Sequence, residues 1–185
     1  MTITIEQLKS LATAAELKYF IAPDRPALLI NFRGVTGSFQ VIAMVELDGR
    51  FVQLRTVGYA NCPADHPHIE AVLRVLAALD YSRRLAKFAW DVSDGEIVAY
   101  ADLWLEDAVL TQGQFQAMLS VFIPVIDLGH DRIVKTIETG VDPEASGSDG
   151  GDLLRRVRDL LAGRPTGTPP PGGEPAPPVE QFPTV

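Results

Sequence analysis

One cysteine in 185 residues, Cys62, rules out an internal disulfide and fits a reducing compartment. With three histidines and no G-x-S-x-G, the chain offers no triad-like set for nucleophilic catalysis. Basic residues are also scarce, with 16 Lys and Arg against 24 Asp and Glu, a net charge of −8. A nucleic-acid backbone would meet a repelling average surface, and no basic stripe relieves it. Arg83, Arg84 and Lys87 form the densest basic group before residue 142, where the dipole at the end of a helix accounts for them. No apolar run reaches the roughly 18 residues of a membrane span. The start has no basic segment followed by an apolar stretch, so no signal peptide is expected. These absences point to a cytoplasmic protein that needs neither membrane nor nucleic acid.

Thr4-Ile5-Glu6-Gln7 is a capping-box start, and Ile5, Leu8, Leu11, Ala12 and Ala15 give the helix behind it one apolar stripe. Pro23 and Pro26 forbid its continuation. Three strands are expected next: Ala27 to Phe32, Phe39 to Leu47 and Phe51 to Tyr59. Asp48-Gly49 reads as a tight type I′ hairpin between the second and third, since both residues tolerate positive φ. In the third, Phe51, Gln53, Arg55 and Val57 alternate with Val52, Leu54 and Thr56, and the sheet to this point is an antiparallel meander. Asp65, with Pro67 behind it, is the expected cap of a second helix carrying Ile69, Val72, Leu73, Leu76 and Leu79.

Lys87 to Val92 and Ile97 to Leu105 form a hairpin around Ser93-Asp94-Gly95-Glu96. A turn centred on Asp94-Gly95 puts Trp90 opposite about Tyr100 and leaves Trp104 beyond the hairpin base. Thr111, with Gln114 three residues on, caps a long third helix whose inner face is Phe115, Met118, Leu119, Phe122, Ile126, Ile133 and Ile137. Pro124 should kink it, and Gly129 is a second point of interruption.

Composition changes at Asp142. Nine of the 14 prolines and seven of the 15 glycines follow it, a segment too poor in apolar area to offset its ordering entropy. Residues 1–142 are therefore read as the domain and 143–185 as a mostly disordered tail. Within the tail, Leu153, Leu154, Val157, Leu160 and Leu161 mark one face of a short amphipathic helix at about 152–162. Such a helix needs something to dock on, either its own domain or another protein's groove.

Few residue groups carry chemistry. Cys62, Asp65, His66 and His68 could in principle hold zinc, but their spacing fits no ligand pattern and no metal or other cofactor is assigned. His130-Asp131 are neighbours whose side chains diverge by about 100° on a helix, so they read as a solvent-facing pair. Arg33-Gly34-Val35-Thr36-Gly37-Ser38 lacks the lysine of a phosphate loop and leads to a strand, which makes it a turn.

The succession from Trp90-Asp91 through Asp94-Gly95-Glu96 to the Leu110-Thr111 helix entry resembles the YbjN family, and the element order matches from about Ile5 to Thr139. Gln112-Gly113-Gln114 departs from the acidic first turn common in that family. The resemblance implies an α+β domain, three helices on a five-stranded antiparallel sheet (a three-strand meander plus a hairpin), similar to type III secretion chaperones. Such chaperones usually form homodimers and hold an extended segment of a client. The implied role is a non-catalytic, chaperone-like or regulatory adaptor with a protein partner. Its binding residues would be Trp90, Tyr100 and Trp104 on the sheet and the five apolar positions of the tail helix. Two other readings are an assembly component linked through that helix and a metal-binding protein using the Cys62 to His68 loop.

Overall fold

The computed structural model describes residues 2–106 and 108–145; the tail helix expected at 152–162 lies outside them. Three helices, α1 (Ile5–Ala14), α2 (Ile69–Ser82) and α3 (Gln112–Thr139), accompany a single antiparallel sheet. Its strands are β1 (Tyr19–Ile21), β2 (Ala27–Arg33), β3 (Ser38–Glu46), β4 (Phe51–Val57), β5 (Ala60–Asn61), β6 (Lys87–Trp90) and β7 (Glu96–Trp104). The sheet thus has seven strands where the sequence suggests five. It runs β1-β2-β3-β4-β7, with β5 and β6 both pairing β7.

Both extra strands are too short to announce themselves. β1 has three residues and takes its register from β2, with Phe20 opposite Leu29. β5 is the displaced end of the long strand expected to run to Tyr59. β4 pairs with β7 over Arg55–Tyr100, and β5 rejoins it at Ala60–Ile97, two residues out of step. Thr56 fills the break: its buried hydroxyl accepts from the Ala99 amide at 2.9 Å and donates to the Ala99 carbonyl at 3.3 Å. Gly58 turns through it at φ +59°.

The caps of α1 and α3 form as the sequence predicts. Thr4 accepts from the Gln7 amide while Gln7 reaches back to the Thr4 amide, and Thr111 and Gln114 repeat the exchange. α2 differs. It begins at Ile69, with His68 at the cap position and no side-chain bond there, so Asp65 lies in the preceding turn. Val75 joins Val72, Leu76 and Leu79 in its buried face, whereas Leu73 is exposed. At its other end Lys87 Nζ donates to the carbonyls of Asp80 (2.6 Å) and Arg83 (3.2 Å), answering the helix C-terminus. α3 continues through both Pro124 and Gly129. Gly129 serves close approach: a Cβ there would stand 2.8 Å from Phe88 Cζ and 3.3 Å from the Tyr59 hydroxyl.

The β3–β4 turn is longer than a two-residue hairpin. Glu46 pairs with Phe51, and Leu47, Asp48 and Gly49 all have positive φ. In the β6–β7 hairpin, Asp91 pairs with Glu96 and its carbonyl accepts from the Gly95 amide. The loop is Val92 to Gly95, one residue earlier than expected, so Trp90 faces Ile97 and Lys87 faces Tyr100. The expected Trp90–Tyr100 pairing is therefore wrong.

Strand alternation sends Leu28, Ile30, Val41, Ala43, Val52, Leu54, Ile97 and Ala99 to one side, into a core with Leu8, Val72, Phe115, Phe122, Ile126 and Ile133 of the helices. A smaller cluster, Ala22, Ala27, Ile42 and Met44 with Leu29, occupies the opposite side at the β1–β2 end. β2 is apolar from Ala27 to Ile30 because both its faces pack there, Leu28 and Ile30 on one side and Ala27 and Leu29 on the other.

Candidate functional site

All three helices contribute to the main core, so the sheet's other face is left open among the described residues. β4 presents Gln53 and Arg55 there, and β7 presents Glu96, Val98, Tyr100 and Trp104. Two depressions share this face. One, of about 480 Å³, is lined by Gln53, Arg55, Val98 and Tyr100 together with Trp90, Asp91 and Glu96 of the hairpin. The other, of about 540 Å³, is lined by Leu29, Ile42, Met44 and the Pro23-Asp24-Arg25 turn.

Arg55 and Glu96 line both, and their ion pair at 3.1 Å forms the ridge between them. Each partner is more than a third exposed, so the pair adds little stability and can exchange for a charged or amide partner. Beyond it, the Gln53 amide donates to Asp102 at 2.8 Å. At the far end Trp104 packs edge-on against Phe51, centroids 5.2 Å apart, yet stays 59% exposed. The surface is wide and shallow, amphipathic, and edged by a large aromatic ring. It suits an extended polypeptide, whose alternating side chains can fill successive depressions.

Of the three aromatic residues singled out in the sequence, Tyr100 and Trp104 share this face. Trp90 is half-buried against the main core, and its indole N–H donates to the Cys62 carbonyl at 2.8 Å. It contributes to the groove rim while anchoring the hairpin to the loop after β5. The five apolar tail positions lie outside the described residues. Arg55, Glu96 and Gln53 were not singled out, although the alternation in β4 and the single apolar stripe of each helix both signal a sheet covered on one side.

The Cys62 to His68 loop is built for structure. Cys62 is buried, which pushes its thiol pKa up, away from the thiolate that metal binding needs. His68 Nδ1 lies 2.8 Å from the Ile137 carbonyl oxygen, so that nitrogen carries a proton and ties α2 to α3. His66 Nδ1 accepts from the His68 amide at 3.2 Å. Among the described residues no group of three or more His, Cys, Asp or Glu is placed to hold a metal ion.

His130 and Asp131 separate as expected, but His130 is not solvent-facing. Its ring packs edge-on against Phe39 and Tyr59 at centroid distances of 5.3 and 5.2 Å, while Asp131 pairs with Lys135 at 2.7 Å. Tyr59 donates to the Ile126 carbonyl at 2.6 Å, and burial drives its phenol pKa far up, with the nearby Asp127 charge adding to the shift.

The glycine-containing turn holds an anion after all, and the anion belongs to the chain. Residues 34–37 wrap the carboxylate of Asp127 on α3. The Val35 amide donates at 2.6 Å, the Thr36 amide at 2.8 Å and the Thr36 hydroxyl at 2.7 Å. Asp127 is 6% exposed. Burial alone would raise its pKa; the Thr36 hydroxyl and the amides of Val35, Thr36 and Gly37 outweigh that and hold it below the ordinary carboxylate range. A Cβ at Gly34 would collide with the Asp127 carboxylate, which explains the glycine. The one sequence signal was an acid set among Phe122, Ile126 and Ile133 on the buried face of α3.

Comparison with known proteins places this fold. The sequence model of YbjN, described as "Putative bacterial sensory transduction regulator", matches residues 4–133. The chain belongs to the YbjN family. E. coli YbjN itself, described as "a putative transcription regulator", has a crystal structure similar to this one. Its TM-score is 0.54 at 16% identity, covering 74% of this chain and 94% of that one. A chain of the HopA1–SchA chaperone–effector complex gives a TM-score of 0.47 at 12% identity, over 67% and 90% of the two chains. Among curated proteins none matches. The matched residues take in α1, α2 and α3 as far as Ile133, leaving the last six residues of α3 outside, and no helix among the described residues is long and apolar enough to cross a membrane.

Proposed function

We propose that this YbjN-family protein is a non-catalytic protein-binding module, a chaperone-like or regulatory adaptor that holds an extended segment of a partner on the open face of its sheet. The observation that carries this reading is the pair of adjoining depressions on the uncovered face, bridged by Arg55–Glu96 and edged by Trp104. Tyr100 and Trp104 supply apolar area with few rotatable bonds, and the exchangeable ion pair supplies a polar contact. Trp90 sets the groove's edge from beneath. Leu153, Leu154, Val157, Leu160 and Leu161 provide a second contact on a tail that begins near residue 143, so the partner is gripped by a rigid surface and a tether. The protein works in the cytoplasm and as a homodimer.

The test is capture from the source cell with full-length protein, with a Tyr100→Ala/Trp104→Ala variant, and with a chain ending at Asp142. One recurrent protein in near-stoichiometric amount, lost with the sheet variant and weakened by truncation, supports the reading. Equal recovery by all three forms refutes the sheet as the contact surface.

A further inference from the structure

The two ends of the sheet are finished differently. At the β6 end, Asp80 Oδ1 accepts from the Phe88 amide at 2.7 Å and Lys87 turns its ammonium onto helix carbonyls, so backbone and side chains are occupied. At the β1 end no described residue makes a comparable contact. Phe20 and Ile21 are 69% and 56% exposed on a strand that ends the sheet. Natural edge strands are blunted by short length, charge, proline or bulges; β1 is short, yet its three residues include no charge and no proline.

The direction of the free backbone groups follows from the ladder. The Ala22 amide donates to Ala27 at 2.9 Å, so Ala22 and, two residues back, Phe20 turn their backbone groups toward β2. Tyr19 and Ile21 therefore point their N–H and C=O outward. The strand cannot lengthen: Pro23 closes one end, and Glu16 at φ +56° breaks the chain before the other.

We propose that β1 pairs with β1 of a second copy, antiparallel and centred on Phe20, making the edge an isologous dimer contact. A two-fold axis at Phe20 sets Tyr19 against Ile21 of the other copy, twice. All four outward groups are then used, with none left over, whereas a longer foreign strand gains no further backbone bond here. Phe20 meets its own counterpart as a non-hydrogen-bonded pair, the arrangement in which Cα atoms come closest, about 4.5 Å. Because the axis is perpendicular to the sheet, the open faces of the two copies join on one side and the helices lie on the other. The depression beside Leu29, Ile42 and Met44 is then near the centre of a doubled docking surface. The contact is short, so the dimer is weak and concentration-dependent.

The geometry is read by Phe20→Cys, since two such residues across the axis lie within disulfide range and Cys62 is buried. Mild oxidation should yield a covalent dimer at least tenfold faster than the exposed control Val35→Cys. In light scattering, the full-length protein should rise toward twice 20.1 kDa with concentration. Ile21→Pro, which removes an outward amide and spares the β2 ladder, should keep it monomeric at the same concentrations with its circular dichroism retained, as should Phe20→Lys. Three results overturn the proposal: a monomer at every concentration, equal cross-linking of the two cysteine variants, or a dimer that both edge variants leave intact. Cross-linking of Phe20→Cys to a foreign chain with no self-association would also overturn it, by assigning the edge to another occupant. The edge rests on the homodimer reading proposed above: a monomer at every concentration overturns both, a dimer that both edge variants leave intact overturns the edge alone, and partner capture through Trp104 is read separately.

Discussion

Replacing Asp127 with alanine strips the 34–37 turn of the acceptor around which it is built. The Val35 and Thr36 amides, at 2.6 and 2.8 Å, lose the carboxylate outright, while the Thr36 hydroxyl, whose one proton is shared between the carboxylate (2.7 Å) and the residue 127 carbonyl (2.8 Å), keeps the carbonyl. Hydrogen bonds to a charged group contribute about 1.5–3 kcal/mol each. Val35 and Thr36 are exposed, so their amides recover water when the carboxylate goes, and burying the carboxylate already costs something in the native state. A net loss of about 2–4 kcal/mol is expected for Asp127→Ala. For Asp127→Asn, which keeps a neutral acceptor, it is about half as much. Urea unfolding followed by circular dichroism measures both. The pH dependence gives a second reading. The folded-state pKa of Asp127 lies below its unfolded value, so its stabilisation is fully present above the ordinary carboxylate range and is lost as pH falls through the folded pKa. Asp91, held low by Ser93, and Asp142, held low by Arg132, titrate in the same direction in both proteins. The gap between wild type and Asp127→Asn should therefore narrow as pH drops below about 4. A loss under about 0.5 kcal/mol for the alanine variant, or a gap that does not change with pH, would refute the latch.

Gly129→Ala gains about 1 kcal/mol of helix propensity but drives a methyl to 2.8 Å from Phe88, so a net loss of about 1–2 kcal/mol in urea is expected. Tyr59→Phe leaves the Ile126 carbonyl with one partner fewer and should cost about 1 kcal/mol by the same assay, with the fold retained. Trp104→Ala should change stability by less than about 1 kcal/mol, since its ring is mostly exposed, yet abolish partner capture.

What the sequence discloses here is local chemistry. The capping boxes at Thr4 and Thr111 form because both bonds of each are made within four residues. The alternation of β4 was legible, and the structure turns Val52, Leu54 and Thr56 inward. What it conceals depends on distant partners or loop geometry. Asp127 meets Thr36 across 91 positions, and β1 exists only because β2 offers it a ladder. β5 exists because the Thr56 hydroxyl carries the ladder over a break. Trp90 was misplaced because the loop closes one residue earlier than its turn residues suggest; opposite Ile97, its ring lies toward the core and Cys62. Asp65 has the right chemistry for a cap but stands three residues too early.

The central claim is that the uncovered sheet face holds a polypeptide. It is tested most directly by a photo-cross-linking residue placed at Trp104, with Tyr81 on α2, 91% exposed, as the control position. In the source cell, irradiation should join position 104 to one discrete protein, through an extended segment identified by mass spectrometry, and leave position 81 unlinked. Cross-links of equal yield at both positions, or none at 104 while the bait captures its partner, would contradict it.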